Sequence, residues 1–211
     1  MRGLLIKDFY NLKKTMTVYV IMTIILSAYC AFTNKSSFVS INPILIFSTT
    51  ITSTFSMDNS VKWDKLAVPA PLKRSDIVKS KYMLLLLIIA VGIGTGTVFA
   101  LPVIFTKAIT ITAFVNMTLF SASIALCAGS LSLAFLYITH RGPEKIELII
   151  IFAYAGAALI VIGFAKLLNL AAAPLDFNKI ILSLINLLLV FLIFAVSCRI
   201  SIRCYDNCDI C

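Results

Sequence analysis

Residues 59–82 read "NSVKWDKLAVPAPLKRSDIVKSKY". This stretch holds the only tryptophan of the chain, Trp63, two of its six prolines, Pro69 and Pro71, and a third of its lysines and arginines. Almost everything on either side of it is apolar. The 211 residues are 61% hydrophobic and 13% charged, with a mean hydropathy of +1.04. Soluble domains carry roughly 25% charged residues. A soluble core of this size does not hide so much apolar surface, so the composition points to a bilayer as solvent. No repeat or low-complexity tract divides the chain, and residues 1–211 read as a single transmembrane domain.

Working outward from the polar stretch, six segments are long and apolar enough to be read as helical spans: Thr15–Phe32, Phe38–Met57, Met83–Phe105, Thr112–Ile138, Glu147–Ala165 and Lys179–Ser197. A helix needs about 20 mostly apolar residues to cross the hydrocarbon. The runs lack the period-two alternation of membrane strands and are too long for them. The first is not read as a cleavable leader, because no small-residue cleavage site follows it. The expected fold class is therefore all-α integral membrane with six transmembrane helices.

Cation placement sets the orientation. Before the first span, between the second and third, between the fourth and fifth, and after the sixth lie fourteen lysines and arginines; the other side holds four, Lys35, Lys107, Lys166 and Lys179. Both termini and the 59–82 loop are expected to face the cytoplasm. The net charge of +9 reads as this asymmetry plus attraction to anionic membrane lipid. It does not read as a nucleic-acid surface, because no basic domain stands free of the membrane.

Cys30 and Cys127 fall in or near apolar spans, where a thiol acts as a small apolar group. Cys198, Cys204, Cys208 and Cys211 fall at the cytoplasmic end, where thiols stay reduced. In "CYDNCDIC" (204–211) three thiolates lack a fourth ligand, so no metal site is assigned. "CDIC" formally matches a prenylation box, which six spans make redundant. "NKS" at Asn34 matches a glycosylation sequon on the outer side.

The spans contain almost no ionisable residue at depth, which disfavours proton-coupled antiport and charged-ring channels. His140, beside Arg141 at a span end, reads as an interfacial side chain rather than a general base. There is no Walker A loop, no pair of carboxylates placed for catalysis and no cofactor motif. The chain is expected not to be an enzyme and to bind no cofactor itself.

A membrane protein without an engine can be moved by a partner, and the loop is built for a grip. Ser60 can cap a short helix through Ala67, and Pro69 and Pro71 then stop it. Ser75 caps a second helix, with Asp76 in its first turn, that runs into the third span. Trp63 and Leu66 share a face, as interface anchors do. An interfacial loop with Trp63 among lipid headgroups reads equally well from these residues alone.

The stretch "KWDKLAVPAPLKRSDIVKSKY" resembles the cytoplasmic loop of ABC-2 type transporter permeases, and within them the small six-span group that includes the phenol-soluble-modulin exporter permeases. The pattern Lys-Trp-Asp, Pro-x-x-Arg, Lys-Tyr falls on Lys62, Trp63, Asp64, Pro71, Arg74, Lys81 and Tyr82. The chain differs in having "MDNSV" where an acidic run often precedes the tryptophan, and in the additional Pro69. The resemblance extends to "LLIKDFYNLKK", Leu4 to Lys14, an N-terminal amphipathic elbow helix in that family. It implies that the loop contains a cytoplasmic coupling helix seated in a separate ABC ATP-binding subunit, with ATP and Mg held there. It also implies two permeases, as a homodimer or a heterodimer of similar chains, beside two ATPases in the cell (cytoplasmic) membrane. The ATPase-coupling residues it marks are Lys62, Trp63, Asp64, Lys65, Leu66, Pro71, Lys73 and Arg74. The function implied is export of amphipathic peptides or hydrophobic compounds. An autonomous transporter, and a scaffold or immunity protein that only binds a partner, are the alternatives.

Gly92 and Gly96, at G-x-x-x-G spacing in the third span, read as a helix-packing face. Ser121, Ser123, Ala125, Ala128, Gly129 and Ser132 make the fourth span small-sided, suited either to the bundle interior or to a substrate path. "NLAAAPLDF" (169–177) reads as a plain outer turn or a short re-entrant segment.

Overall fold

The computed structural model describes residues 2–32, 38–60, 74–105, 109–139, 146–172 and 179–206. Among them the chain is helical and contains no strand. Six helices follow one another: α1 (Arg2–Phe32), α2 (Phe38–Ser60), α3 (Arg74–Phe105), α4 (Ile111–Thr139), α5 (Ile146–Ala172) and α6 (Lys179–Asp206). An apolar chain in lipid must satisfy every backbone polar group internally, and helices do so within each segment.

Helices α3 to α6 each contain a stretch long and apolar enough to cross a bilayer. In α1 the segments Gly3–Lys13 and Thr15–Cys30 meet at 56° and supply a fifth such stretch if taken together. The expected span Phe38–Met57 lies within α2. One feature of this helix is its hydroxyls. Ser48, Thr49, Thr50, Thr52, Ser53 and Thr54 each return a hydrogen bond to the carbonyl three residues back. Closing on their own backbone lets these side chains be buried. Ser48, Thr50, Thr52 and Thr54 sit in the interior beside Ile44, Phe47 and Ile51. Helix α2 packs against α1, α3 and α4.

Two ends differ from expectation. Helix α5 runs to Ala172 rather than stopping at Ala165, because Leu167, Leu168 and Leu170 keep the apolar helical pattern and a lysine such as Lys166 reaches outward along its own stem. Residues 169–172 are thus the last turn of α5, and 173–178 lie outside the described residues. Helix α6 runs past Ser197 to Asp206.

Helix α4 is the axis of the bundle: 72% of its spanning stretch is buried, against 17% in α5 and 22% in α6. Its small residues place it there, since Ser121, Ser123, Ala125, Ala128, Gly129 and Ser132 are all buried and let neighbours come close. The outer faces of α5 and α6 present Phe152, Leu159, Leu188 and Leu192, as lipid-facing helices do.

Helix α3 fits between its neighbours through two close approaches. A Cβ added at Gly92 would lie 3.1 Å from Ile44 Cα of α2, and one at Gly129 of α4 would lie 2.5 Å from Leu85 Cδ1. The first obstacle is backbone and cannot rotate away. Gly96, one turn beyond Gly92, is buried. Gly92→Leu is expected to destabilise the purified chain by about 1–3 kcal/mol through overpacking, read as a lower midpoint of denaturation in mixed micelles. Gly94→Leu, where a Cβ meets open space, is expected to leave the midpoint nearly unchanged.

Candidate functional site at the foot of the polar loop

Lys62, Trp63, Asp64, Lys65, Leu66, Pro71 and Lys73 lie outside the described residues, and Arg74 is described only as the first backbone position of α3. The two stalks that carry the loop are described, and they are joined. Asp58, at the end of α2, and Lys81, two turns into α3, form an ion pair at 2.6 Å. Lys81 also lies 3.1 Å from Asp8 of α1. Lys7 completes the ring, 2.8 Å from Asp58 and 3.2 Å from Asp8.

Each ammonium of the ring touches both carboxylates, and each carboxylate touches both ammoniums. The four formal charges cancel. Asp8 is 2% exposed and Lys81 is 4% exposed, so two of the charges are deeply desolvated. Burial on this scale is tolerated only when each charge keeps its partners. The Lys81 ammonium also sits 5.5 Å from the centre of the Phe55 ring, a favourable placement over an aromatic face.

The local folding of α1 explains how Asp8 arrives there. Leu4, Asp8 and Leu12 recur every four residues and share one buried face. Ile6, Phe9 and Tyr10 face outward. The Gly3–Lys13 segment therefore lies against the stalks with one carboxylate aimed inward.

Tyr82 follows Lys81 and grips the opposite side. Its hydroxyl is 2.8 Å from the hydroxyls of both Ser197 and Ser201 on α6. Ser197 in turn donates to the Ser130 carbonyl of α4 at 2.7 Å. The Tyr82 ring meets Phe194 edge-on at 5.3 Å. Beside it, Phe55 meets Tyr137, and Tyr137 meets Tyr205, in the same edge-to-face manner. Successive helical residues project about 100° apart, so Lys81 and Tyr82 clamp the root of α3 from two directions. One holds it to α1 and α2, the other to α6 and, through Ser197, to α4.

Of the ring residues, the sequence alone marks Lys81, through the Lys-Tyr pattern, and counts Lys7 only among the fourteen cations that set the orientation. Asp8 was not singled out. The available signal was the scarcity of acids: nine in the whole chain, with Asp8 directly beside Lys7 and Asp58 directly after an expected span. Cys30 and Cys127 are buried, Cys198 and Cys204 are partly exposed, and no cluster of metal-ligating residues occurs among the described residues.

The long apolar helices, the lipid-facing outer surface and the polar clamp at one end define a multi-pass helical membrane protein whose loop stalks are tied into the bundle. The family model described as ABC-2 family transporter protein matches residues 3–206, and the chain belongs to that family. No curated protein and no solved structure matches the chain.

Proposed function

We propose that this chain is the permease subunit of an ABC-2 type exporter, worked from the cytoplasmic side by a separate ATP-binding subunit. Membership of the ABC-2 family supports this reading. The observation that carries it is the clamp at Lys81 and Tyr82, which ties the foot of the polar loop to four other helices. In this reading the Lys62–Ala67 stretch is a coupling helix in a groove of the ATPase. Trp63 and Leu66 are its apolar anchors, and Lys62, Asp64, Lys65, Lys73 and Arg74 make its polar contacts. Pro71 stiffens the corner through which the push reaches α3. The Gly3–Lys13 segment is the elbow, and α2 completes a six-span arrangement. Two permeases, alike or similar, stand beside two ATPases that hold ATP and Mg. The working unit sits in the cytoplasmic membrane with both termini inside.

The cargo class in this proposal is amphipathic peptides or hydrophobic compounds. The apolar interior supports it, since the ion-pair ring lies at the bundle end and no fixed charge within the described spans holds an inorganic ion at mid-depth. The experiment exchanges Trp63 and Asp64 together for alanine. Export and co-purification of the ATPase are both expected to fall at least about tenfold, as loss of an interface hot spot does. Wild-type levels of both would overturn the assignment of the loop.

A further inference from the structure

At the end of the bundle opposite the ion-pair ring, the start of α4, the end of α5 and the start of α6 enclose a cavity of about 770 Å³. Its rim carries Lys179 and Thr112, and its floor carries Asn186 and Phe120. Among the described residues no carboxylate lines it. On one wall Ser183 donates to the Asn116 carboxamide oxygen, which ties α6 to α4 and fixes that wall. Asn186 is different. It is 2% exposed, and its side-chain oxygen Oδ1 has no hydrogen-bond partner. An amide oxygen left unpaired out of water costs about 1–3 kcal/mol, and that cost is recovered when a ligand brings a donor.

We infer that this cavity binds the carboxylate-bearing end of an apolar peptide, with the carboxylate at Lys179 and a backbone N–H at Asn186. The inference rests on the permease reading and names the part of the cargo that the chain recognises. Spacing favours a peptide. Lys179 and Asn186 are seven residues apart on one helix, about 10 Å along its axis. An extended tripeptide covers about the same length from its carboxylate to its first amide. A phospholipid offers Lys179 a phosphate, but any headgroup N–H it carries lies beside that phosphate rather than about 10 Å further along at the floor. Met117, Phe120, Leu168 and Leu182 supply apolar wall for the side chains.

The test is equilibrium binding of tritiated N-acetyl-trileucine to the full chain with its ATPase in nanodiscs, without nucleotide. Saturable binding is expected. Lys179→Gln and Asn186→Leu should each weaken it about tenfold, the usual effect of losing a charged or buried hydrogen bond. Capping the peptide as its C-terminal amide should weaken binding to the wild type equally, and should cost nothing further on Lys179→Gln. The rim variant Lys179→Gln and the capped peptide leave the buried core intact, so the outcome does not hinge on folding of Asn186→Leu. Equal binding by wild type and both variants, or no saturable binding, overturns the inference. So does retention of an anionic phospholipid, found by mass spectrometry, that depends on Lys179 but not on Asn186. A complex that still hydrolyses ATP and exports while failing these binding tests loses the site and keeps the permease reading. A chain that binds no ATPase loses the reading itself.

Discussion

Asp8→Ala should lower the stability of the folded chain by about 3–5 kcal/mol, the usual result of leaving a buried charge without one of its partners. Asp8 is almost fully buried and faces both lysines of the ring. Its loss leaves Lys81, itself shut away from water, with one carboxylate shared with Lys7. Asp8→Leu combined with Lys81→Met should recover more than half of the deficit. That pair of changes removes one charge of each sign and leaves the 2.8 Å Lys7–Asp58 pair neutral and intact. The measurement is reversible denaturation in mixed micelles as a double-mutant cycle. Additive effects would mean that the ring is not coupled. The double variant also separates stability from function. In the proposed exporter it should fold and allow ATP hydrolysis by the partner, yet transport poorly, because the stalk of α3 is no longer fastened to α1.

Tyr82→Phe is the second large effect. The ring survives in this variant, with its edge contact to Phe194. The hydroxyl that joins Ser197 and Ser201 is lost. Both serines are buried, so removing their shared partner should cost about 1–3 kcal/mol. Ser201→Ala should cost less, since Tyr82 then keeps Ser197. If α3 pushes α6 through this hydroxyl, Tyr82→Phe should reduce transport per ATP hydrolysed more than it reduces stability. Equal transport per ATP in the variant and the wild type would show that the link to α6 is structural only.

Much of the helical frame was legible in the sequence, because runs of leucine, isoleucine, phenylalanine and alanine satisfy both the bilayer and the helix. The described part of α3 already includes Arg74 and Ser75, so Ser75 lies inside the helix rather than at its cap. Helix α5 continues beyond the expected span Glu147–Ala165 to Ala172, since a lysine with a long apolar stem such as Lys166 does not end a helix. Helix α2 was legible as a helix, but only the structure shows that its serines and threonines are closed onto their own carbonyls. The ion-pair ring was invisible for a different reason. Residues 7 and 8, 58, and 81 are far apart along the chain, and nothing in composition or periodicity pairs them. The asparagine-floored cavity escaped for the same reason, as α4, α5 and α6 each supply an unremarkable polar residue.

The central claim is that this chain does no work alone and is driven through the 59–82 loop by an ATP-hydrolysing partner. The most direct measurement is uptake of a fluorescent amphipathic peptide into inside-out vesicles, comparing the chain alone with the chain plus the ATPase that co-purifies with it, each with and without ATP and Mg. Accumulation only with both the ATPase and ATP, abolished by the Trp63 and Asp64 exchange, is the predicted result. Accumulation by the chain alone, or at the same rate without nucleotide, would contradict it.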